Sequence, residues 1–598
     1  MKKILSYICI FLFSFLLSTT TNGQEYRVTG TVINSTSEEP LPGATVLYGT
    51  GLGTTTDNKG YYSIILKPGK YKLTASFVGY EEEQRSITIS DKNITVNFSL
   101  TGRTLSKLNV VADVAVRRET PVAFSTIPPE RISEQLASQD IPMILNSTPG
   151  VYATQQGGGD GDARINIRGF NQRNIAVLID GIPVNDMENG WVYWSNWFGL
   201  DMVTRSIQVQ RGLGASKLAI PSIGGTMNII SKGIESKPST SIKYENGSDG
   251  FMRTSIGYNS GKLNNGWGIT AAGSYKRGNG YADMTWTNGW FYFLRIDKEL
   301  GNHLISFTGM GAPQQHGQRS YQSAIAQYSA EYAEKAGISP DEYIPGMPVN
   351  MGYRYNPNWG YLKRDGSWEK LNEKLNYYHK PQFSLRDYWS AGDNLLISNI
   401  AYLSVGNGGG TGMRVTPNLI TEGVDEGQID FQAIYDNNIA NLNTSNDGKG
   451  GYIYSSRNNH FWYGLISSIN YDPKNNWKFS AGIDLRNYKG EHYREVYDLL
   501  GMGFMNDLQS EGKLNNHTDS SIIRKKGDKI YYHNDGLVRW GGLFGLIQYE
   551  TGNWNFFLNI SGSYTGYNRI DYFLKRDIIV GDEIFHQAVG YTPSFQLP

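Results

Sequence analysis

Cysteine is almost absent: a single residue, Cys9, in a chain of 598. It falls inside MKKILSYICIFLFSFLLSTTTNGQ, where Lys2 and Lys3 precede an apolar stretch from Ile4 to Leu17 and small polar residues lead to Gln24. That is the pattern of a secretory signal peptide, so residues 1–23 are expected to be removed near Gly23. The exported chain then has no thiol, which excludes disulfides and cysteine-ligated metal. Net charge is absent too, with 55 Lys+Arg against 55 Asp+Glu, and nothing points to nucleic acid. No apolar run of about 18 residues follows the signal, so no membrane-crossing helix is expected in the mature chain.

Catalytic and metal signatures are missing as well. There is no Gly-x-Ser-x-Gly elbow and no phosphate loop ending in Gly-Lys-Ser/Thr. The histidines at 303, 316, 379, 460, 492, 517, 533 and 586 form no His-Glu-x-x-His and no close pair, so no metal and no cofactor is expected. An enzyme is not the expected reading. What is abundant is 70 Gly, 40 Tyr, 23 Phe and 13 Trp, a composition of strands and turns.

Three parts follow the signal. Residues 26–100 carry short alternating strands such as YYSIIL (61–66) and YKLTASF (71–77), separated by turns at Asp57 to Gly60 and Pro68-Gly69, and predict a small β-sandwich. Residues 102 to about 232 mix apolar runs with helix-like pieces, including Pro129 to Leu145. In INIRGFNQRNIAVLIDGIPVND (165–186), Ile175 to Ile179 reads as a strand buried on both faces and turned by Asp180-Gly181. It resembles the edge of a dinucleotide-binding unit, but Pro183 and an aromatic loop follow where a helix should. From 233 onward the period is 2, with amphipathic strands at 241–245, 251–258, 267–276, 291–298, 303–309, 382–388, 395–405, 462–471, 477–488, 542–549 and 554–564. Aromatics lie at their borders, short turns join one end, and long polar segments (312–380, 406–459, 489–540) join the other. This predicts an outer-membrane β-barrel, the closed form of sheet that leaves no unpaired backbone in lipid. The alternative is a secreted β-sandwich or adhesin.

The pattern Ile167-Arg168-Gly169, Val177-Leu178-Ile179-Asp180-Gly181 and SIQVQRGLGASKLAIPSIGGTMNIISK (206–232), with Arg211-Gly212 and Gly224-Gly225, closely resembles the plug of TonB-dependent outer-membrane receptors. Residues 26–100, with PGATV at 42–46, TDNKGY at 56–61 and VGY at 78–80, resemble the carboxypeptidase-regulatory-like domain attached to such receptors in Bacteroidetes. The fold class so implied is mainly β: an N-terminal sandwich (26–100), a linker (102–114), an α+β plug (115–232) and a transmembrane antiparallel barrel (233–598). Eleven readable strands make that barrel about half of what the family uses to surround a plug, so its C-terminal part is expected to be missing.

The resemblance also implies function: TonB-dependent uptake of a scarce siderophore, cobalamin, glycan or peptide across the outer membrane, with the sandwich in the periplasm. TonB would add as a strand to an extended segment, for which Leu108, Asn109, Val110, Val111, Ala112 and Asp113 are the candidates. A linker strand packing on the plug is the alternative. Partners would be TonB, outer-membrane lipid and a small or oligomeric ligand. Adhesion without transport and signal transduction are the rival functions.

Arg168 and Arg211 are expected to pair with carboxylates inside the barrel or, less simply, to meet ligand. Gly169, Gly181, Gly212 and Gly224 suit turns or close backbone approach. Asp160 and Asp162 in GGGDGD (157–162) could face a ligand, though two carboxylates fall short of a Ca²⁺ cage and a flexible loop explains them. Trp191, Tyr193, Trp194 and Trp197 in NDMENGWVYWSNW (185–197) would form either an outward stacking platform or a seal against the barrel wall. GNGGGTG (406–412) reads as a bend in a barrel loop.

Overall fold

The computed structural model describes residues 25–100, 123–155, 163–212, 222–507 and 523–594, with internal gaps at 36–37, 50–51, 78–79, 81, 235, 320–322, 393, 415–417, 442–450, 474, 553, 574–576 and 587–591. The signal peptide, the segment 108–113, and Asp160 and Asp162 lie outside the described residues. The chain divides into two compact units, Met1–Asn109 and Val110–Pro598.

In the first unit two four-stranded sheets form a sandwich. Tyr26–Asn34 pairs antiparallel with Tyr61–Leu66 and parallel with Ile94–Thr95 and Phe98–Leu100. The second sheet runs Leu52–Thr55, Thr45–Gly49, Gly69–Ser76, Glu83–Ile89. Alternation puts Val28 and Val32 inward to meet Val46, Leu73, Tyr62 and Phe98 in one core. Gly30 allows the closest contact, since a Cβ there would stand 1.8 Å from Val96 O. The Asp57 carboxylate accepts from Lys59 N and Tyr61 N, which sets the turn between strands. A fragment of residues 24–101 is expected to unfold cooperatively in denaturant, and Phe98→Ala to cost it about 3–5 kcal/mol. A fragment without protected amides in hydrogen exchange would refute an autonomous fold.

The second unit has a central α+β domain and an outer sheet. The central sheet is mixed, in the order Ile182–Pro183, Ile175–Ile179, Gly225–Ser231, Thr204–Arg211, Phe124–Ile127. Ile175–Ile179 lies parallel to Gly225–Ser231, and every residue of both strands is buried, as an uninterrupted apolar run requires. The helix-like stretch expected over 129–145 is two pieces, an α-helix Pro129–Gln135 and a 3-10 helix Ile141–Ser147. The break sits at Ala137, which takes φ +47°, and at Pro142, which has no N–H for a continuing helix.

The outer sheet contains the eleven expected strands, consecutive and antiparallel from Ser239–Asn246 to Trp554–Asp571, with the short Thr592–Ser594 after them. Thr287–Leu300 shows the period: Phe291, Phe293, Arg295 and Asp297 are buried toward the central domain, while Trp290, Tyr292 and Leu294 are exposed on the other face. No helix among the described residues is long and apolar enough to cross a membrane. Among the described residues Ser239–Asn246 pairs only with Met252–Asn259, so the strand order is open rather than closed on itself.

The long segments read as loops are partly sheet. Leu395–Met413, Ile453–Tyr471, Trp477–Asp498 and Lys529–Thr551 extend well past their apolar parts. GNGGGTG, read as a bend, is strand: Gly409 pairs with Tyr377 on one side and Arg457 on the other. A Cβ at Gly406 would lie 2.2 Å from the His460 ring, and one at Gly408 2.5 Å from the Tyr378 ring. Missing side chains make room for the aromatics of neighbouring strands.

Central domain and outer sheet share one apolar core, in which Trp194, Phe198 and Met202 meet Phe291, Phe293 and Met310.

Candidate ligand site between the central domain and the sheet

The turn Asp180-Gly181 has φ +49° and +78°, a left-handed pair that aspartate and glycine tolerate best. It holds the Asp180 carboxylate where Ser231 N and Oγ donate to it at 2.8 and 2.7 Å. The outer sheet completes this anchor. Arg386 donates to the Asp180 carbonyl, and Arg295 Nη1 reaches Ser231 Oγ at 3.1 Å. Nearby, Arg253 pairs with Asp201 at 2.5 Å.

These cations come from the sheet and their acceptors from the central domain, and they are not the Arg168 and Arg211 for which a carboxylate partner on the sheet or the central domain was expected. Arg168 is exposed, with its backbone at φ +52°, and Arg211 Nη1 donates to Pro149 O at 3.0 Å. Among the described residues neither pairs with a carboxylate. A Cβ at Gly212 would lie 2.5 Å from Arg168 Nη1, and one at Gly224 2.7 Å from Phe170 Cβ. Those glycines therefore serve close packing within the central domain. Gly169, with φ +83°, and Gly225, with φ +138°, hold backbone turns that side chains resist.

The loop after Val184 is rigid by construction of its own hydrogen bonds. Asn185 accepts from Val177 N and donates to three carbonyls, of Gln172, Ile175 and Gly190. The Asp186 carboxylate caps Glu188 N and Asn189 N, both at 3.0 Å. This projects Glu188 at the outer sheet, where it accepts from His492 Nε2 at 2.7 Å and Tyr488 OH at 3.2 Å. Two glycines paired across neighbouring strands, Gly490 and Gly536, form the notch that admits its carboxylate.

Of the four aromatics expected here, Trp194 and Trp197 are buried in the central core and do not face a ligand. Trp191 is half-buried and lies against two guanidinium groups, Arg164 and Arg173, each 4.5 Å from its ring. Tyr193 is exposed and lines the larger cavity between the central domain and the sheet.

That cavity, about 270 Å³, is walled on one side by Arg164, Asp186, Glu188 and Tyr193 of the central domain. The facing wall is Tyr378, Lys380, Gly409, His460, Tyr488 and His492 of the sheet. It lies just under the roughly 300–1,000 Å³ that encloses a drug-sized ligand, which suits one end of something larger. Burial pushes the Lys380 ammonium down to about 8, against the charge of Asp186. The hydrogen bond to Glu188 raises the His492 imidazole, against desolvation. His460 and His492, 32 residues apart and unremarkable in sequence, meet here because Gly490 pairs with His460.

One further cluster was not foreseen. Glu491, His533 and Asp535 bring ligand atoms within 4.8 Å of one another. Lys529 Nζ already contacts Glu491 at 2.8 Å and His533 at 2.9 Å, and Lys489 contacts Asp535 at 2.7 Å. Ammonium groups occupy the positions a cation would need, so these residues form an ion-pair network.

Comparison with known families agrees with this architecture. The CarboxypepD_reg-like domain matches residues 28–112, and the TonB-dependent receptor plug domain matches residues 116–226. Residues 116–226 are thus a domain of the TonB-dependent receptor plug type. TonB-dependent receptor P39 of Formosa agariphila is 31% identical over 191 residues, 31% of this chain and 18% of that protein. The vitamin B12 transporter of Vibrio vulnificus is 25% identical over 259 residues, 42% of this chain and 41% of that one. The matches thus span less than half the length of these relatives. The solved FpvAI–pyocin S2 complex aligns at a TM-score of 0.50 with 12% identity, over 80% of this chain and 56% of that one, a likeness of fold. The cavity described above lies between the plug and the sheet that faces it.

Proposed function

We propose that the protein is an outer-membrane uptake receptor in which a scarce ligand seats between the plug and the facing sheet. The supporting observation is the cavity itself: its two walls belong to the two bodies that would have to respond to each other, and the Glu188 loop joins them. An outer membrane has no ATP, so energy must arrive mechanically. In this reading TonB engages Leu108–Asp113 by strand addition and pulls on the plug, with the CarboxypepD_reg-like domain on the periplasmic side. The relatives named for vitamin B12 and for TonB dependence favour uptake over adhesion.

Deleting residues 108–113 is expected to abolish energised ligand accumulation in cells while leaving surface expression and equilibrium binding unchanged. Undiminished accumulation would refute TonB coupling through that segment. Loss of binding along with accumulation would instead indicate a damaged plug.

A further inference from the structure

The polar groups around the cavity are not all paired. Both acids on the plug side are already engaged: Asp186 by Glu188 N, Asn189 N and Tyr488 OH, and Glu188 by His492 and Tyr488. Two of the cations, Lys380 and Arg164, are not. Lys380 is 7% exposed and lines the cavity, yet among the described residues no carboxylate lies within 4.0 Å of its Nζ and no hydrogen bond is made. Its ammonium lies 5.4 Å from the Trp462 ring and 5.8 Å from Trp197, contacts that offset part of the lost hydration but leave three N–H donors unused. On the opposite wall Arg164 stacks on Trp191, and its Nη1 is buried with no hydrogen-bond partner. A buried ammonium with no hydrogen-bonded counter-ion and a guanidinium nitrogen with no acceptor thus border one space, each with donors left for an anion.

We propose that the cavity receives the anionic end of a hydroxyl-bearing ligand, with a carboxylate, sulfate or phosphate group held between Lys380 of the sheet and Arg164 of the plug. The rest of the lining suits the hydroxyl part: Asn189, Gln318, Asn376 and Asn458 offer amides, and Tyr193 and Tyr378 offer phenols. An anion so placed touches both bodies at once, so its arrival strengthens the contact between them. The proposal rests on the uptake reading for its biological role, but anion binding by the isolated protein needs no energy source and is tested apart from it.

The test titrates the detergent-solubilised full chain with sodium sulfate, inorganic phosphate and galacturonate, and with galactose as the neutral counterpart, reading tryptophan fluorescence and thermal midpoint. The three anions are expected to give saturable changes and to raise the midpoint, and galactose to do neither at equal concentration. Lys380→Met and Arg164→Gln should each weaken anion affinity at least about tenfold, a loss of one charge-assisted contact. Lys380→Arg should retain binding, and Lys262→Met, at an exposed site, should leave it unchanged. Lys380→Met should also melt no lower than the parent without anion, since it removes an unpaired buried charge, so a folding defect is separable from lost binding. Absence of a saturable anion response, an equal response to galactose, or affinities untouched by both substitutions would overturn the proposal. Deletion of 108–113 should leave every one of these readings in place, so failure of uptake and failure of anion binding are distinguishable.

Discussion

Arg295→Leu is expected to destabilise the packing of plug on sheet by about 3–5 kcal/mol, the effect of removing one partner from a buried ion pair. Asp297 is fully buried, and its carboxylate accepts from Arg295 Nε at 2.9 Å, Ser306 Oγ at 2.5 Å and Ile234 N at 2.9 Å. Arg295 also reaches Ser231, which in turn holds Asp180. Leucine breaks that chain in the middle and leaves the Asp297 charge without its cation. Denaturant unfolding in micelles, followed by proteolysis of the plug, measures the loss. The double variant Arg295→Leu with Asp297→Leu should recover much of it, because both charges then leave together. Lys262→Leu, which breaks the exposed pair with Glu299, should change stability by no more than about 1 kcal/mol. A loss for Arg295→Leu no larger than for Lys262→Leu would show that the buried network does not hold the plug.

The parts that sequence revealed and those it hid differ by physical origin. All eleven long strands were legible, because one face is apolar and exposed and the other meets a packed interior, so the period of 2 is written in side-chain polarity. Their extents were not, since beyond the apolar band both faces turn polar and glycine-rich, and GNGGGTG carries no alternation to read. Ile175–Ile179 was legible as a strand buried on both faces from its uninterrupted run. The aromatic loop was less so: Trp194 and Tyr193 are neighbours, yet one is core and the other lines the cavity, a choice made by a non-periodic backbone. The partners of Asp180 and Asp201 were hidden for another reason. Arg386 lies 206 residues from Asp180, and antiparallel register over such distances depends on loop geometry that composition does not encode. For the same reason His492 and Glu188, separated by 304 residues, gave no sign of meeting.

That meeting should be sensitive to one methyl group and to pH. A Cβ built on Gly536 stands 1.8 Å from Glu188 Oε1 and 2.9 Å from its Cδ, and one on Gly490 stands 2.6 Å from Oε2. Because the obstacle is the end of a flexible side chain, Gly536→Ala is expected to leave the sheet folded and to expel the carboxylate from its notch. His492 then loses the bond that raises its pKa. Its remaining neighbours are Asp186, whose charge also raises it, Arg569, whose charge lowers it, and the Asn458 amide oxygen at 2.8 Å. The sign follows from the direction of the shift. A base whose folded pKa is raised contributes its full stabilisation below its unfolded value of about 6.5 and loses it as pH rises through the folded value. The loop is therefore held most firmly in mildly acidic conditions and loosens as the pH rises through the raised value. Histidine NMR in micelles should show His492 titrating above its ordinary value in the parent and close to it in Gly536→Ala. Amide exchange over 186–190, corrected for intrinsic rates, should quicken with pH through that titration in the parent and be fast and flat in both Gly536→Ala and His492→Gln. An unshifted His492 titration in Gly536→Ala would mean that Glu188 does not depend on the glycine notch, and that the loop is held to the sheet by Tyr488 and its own turn alone.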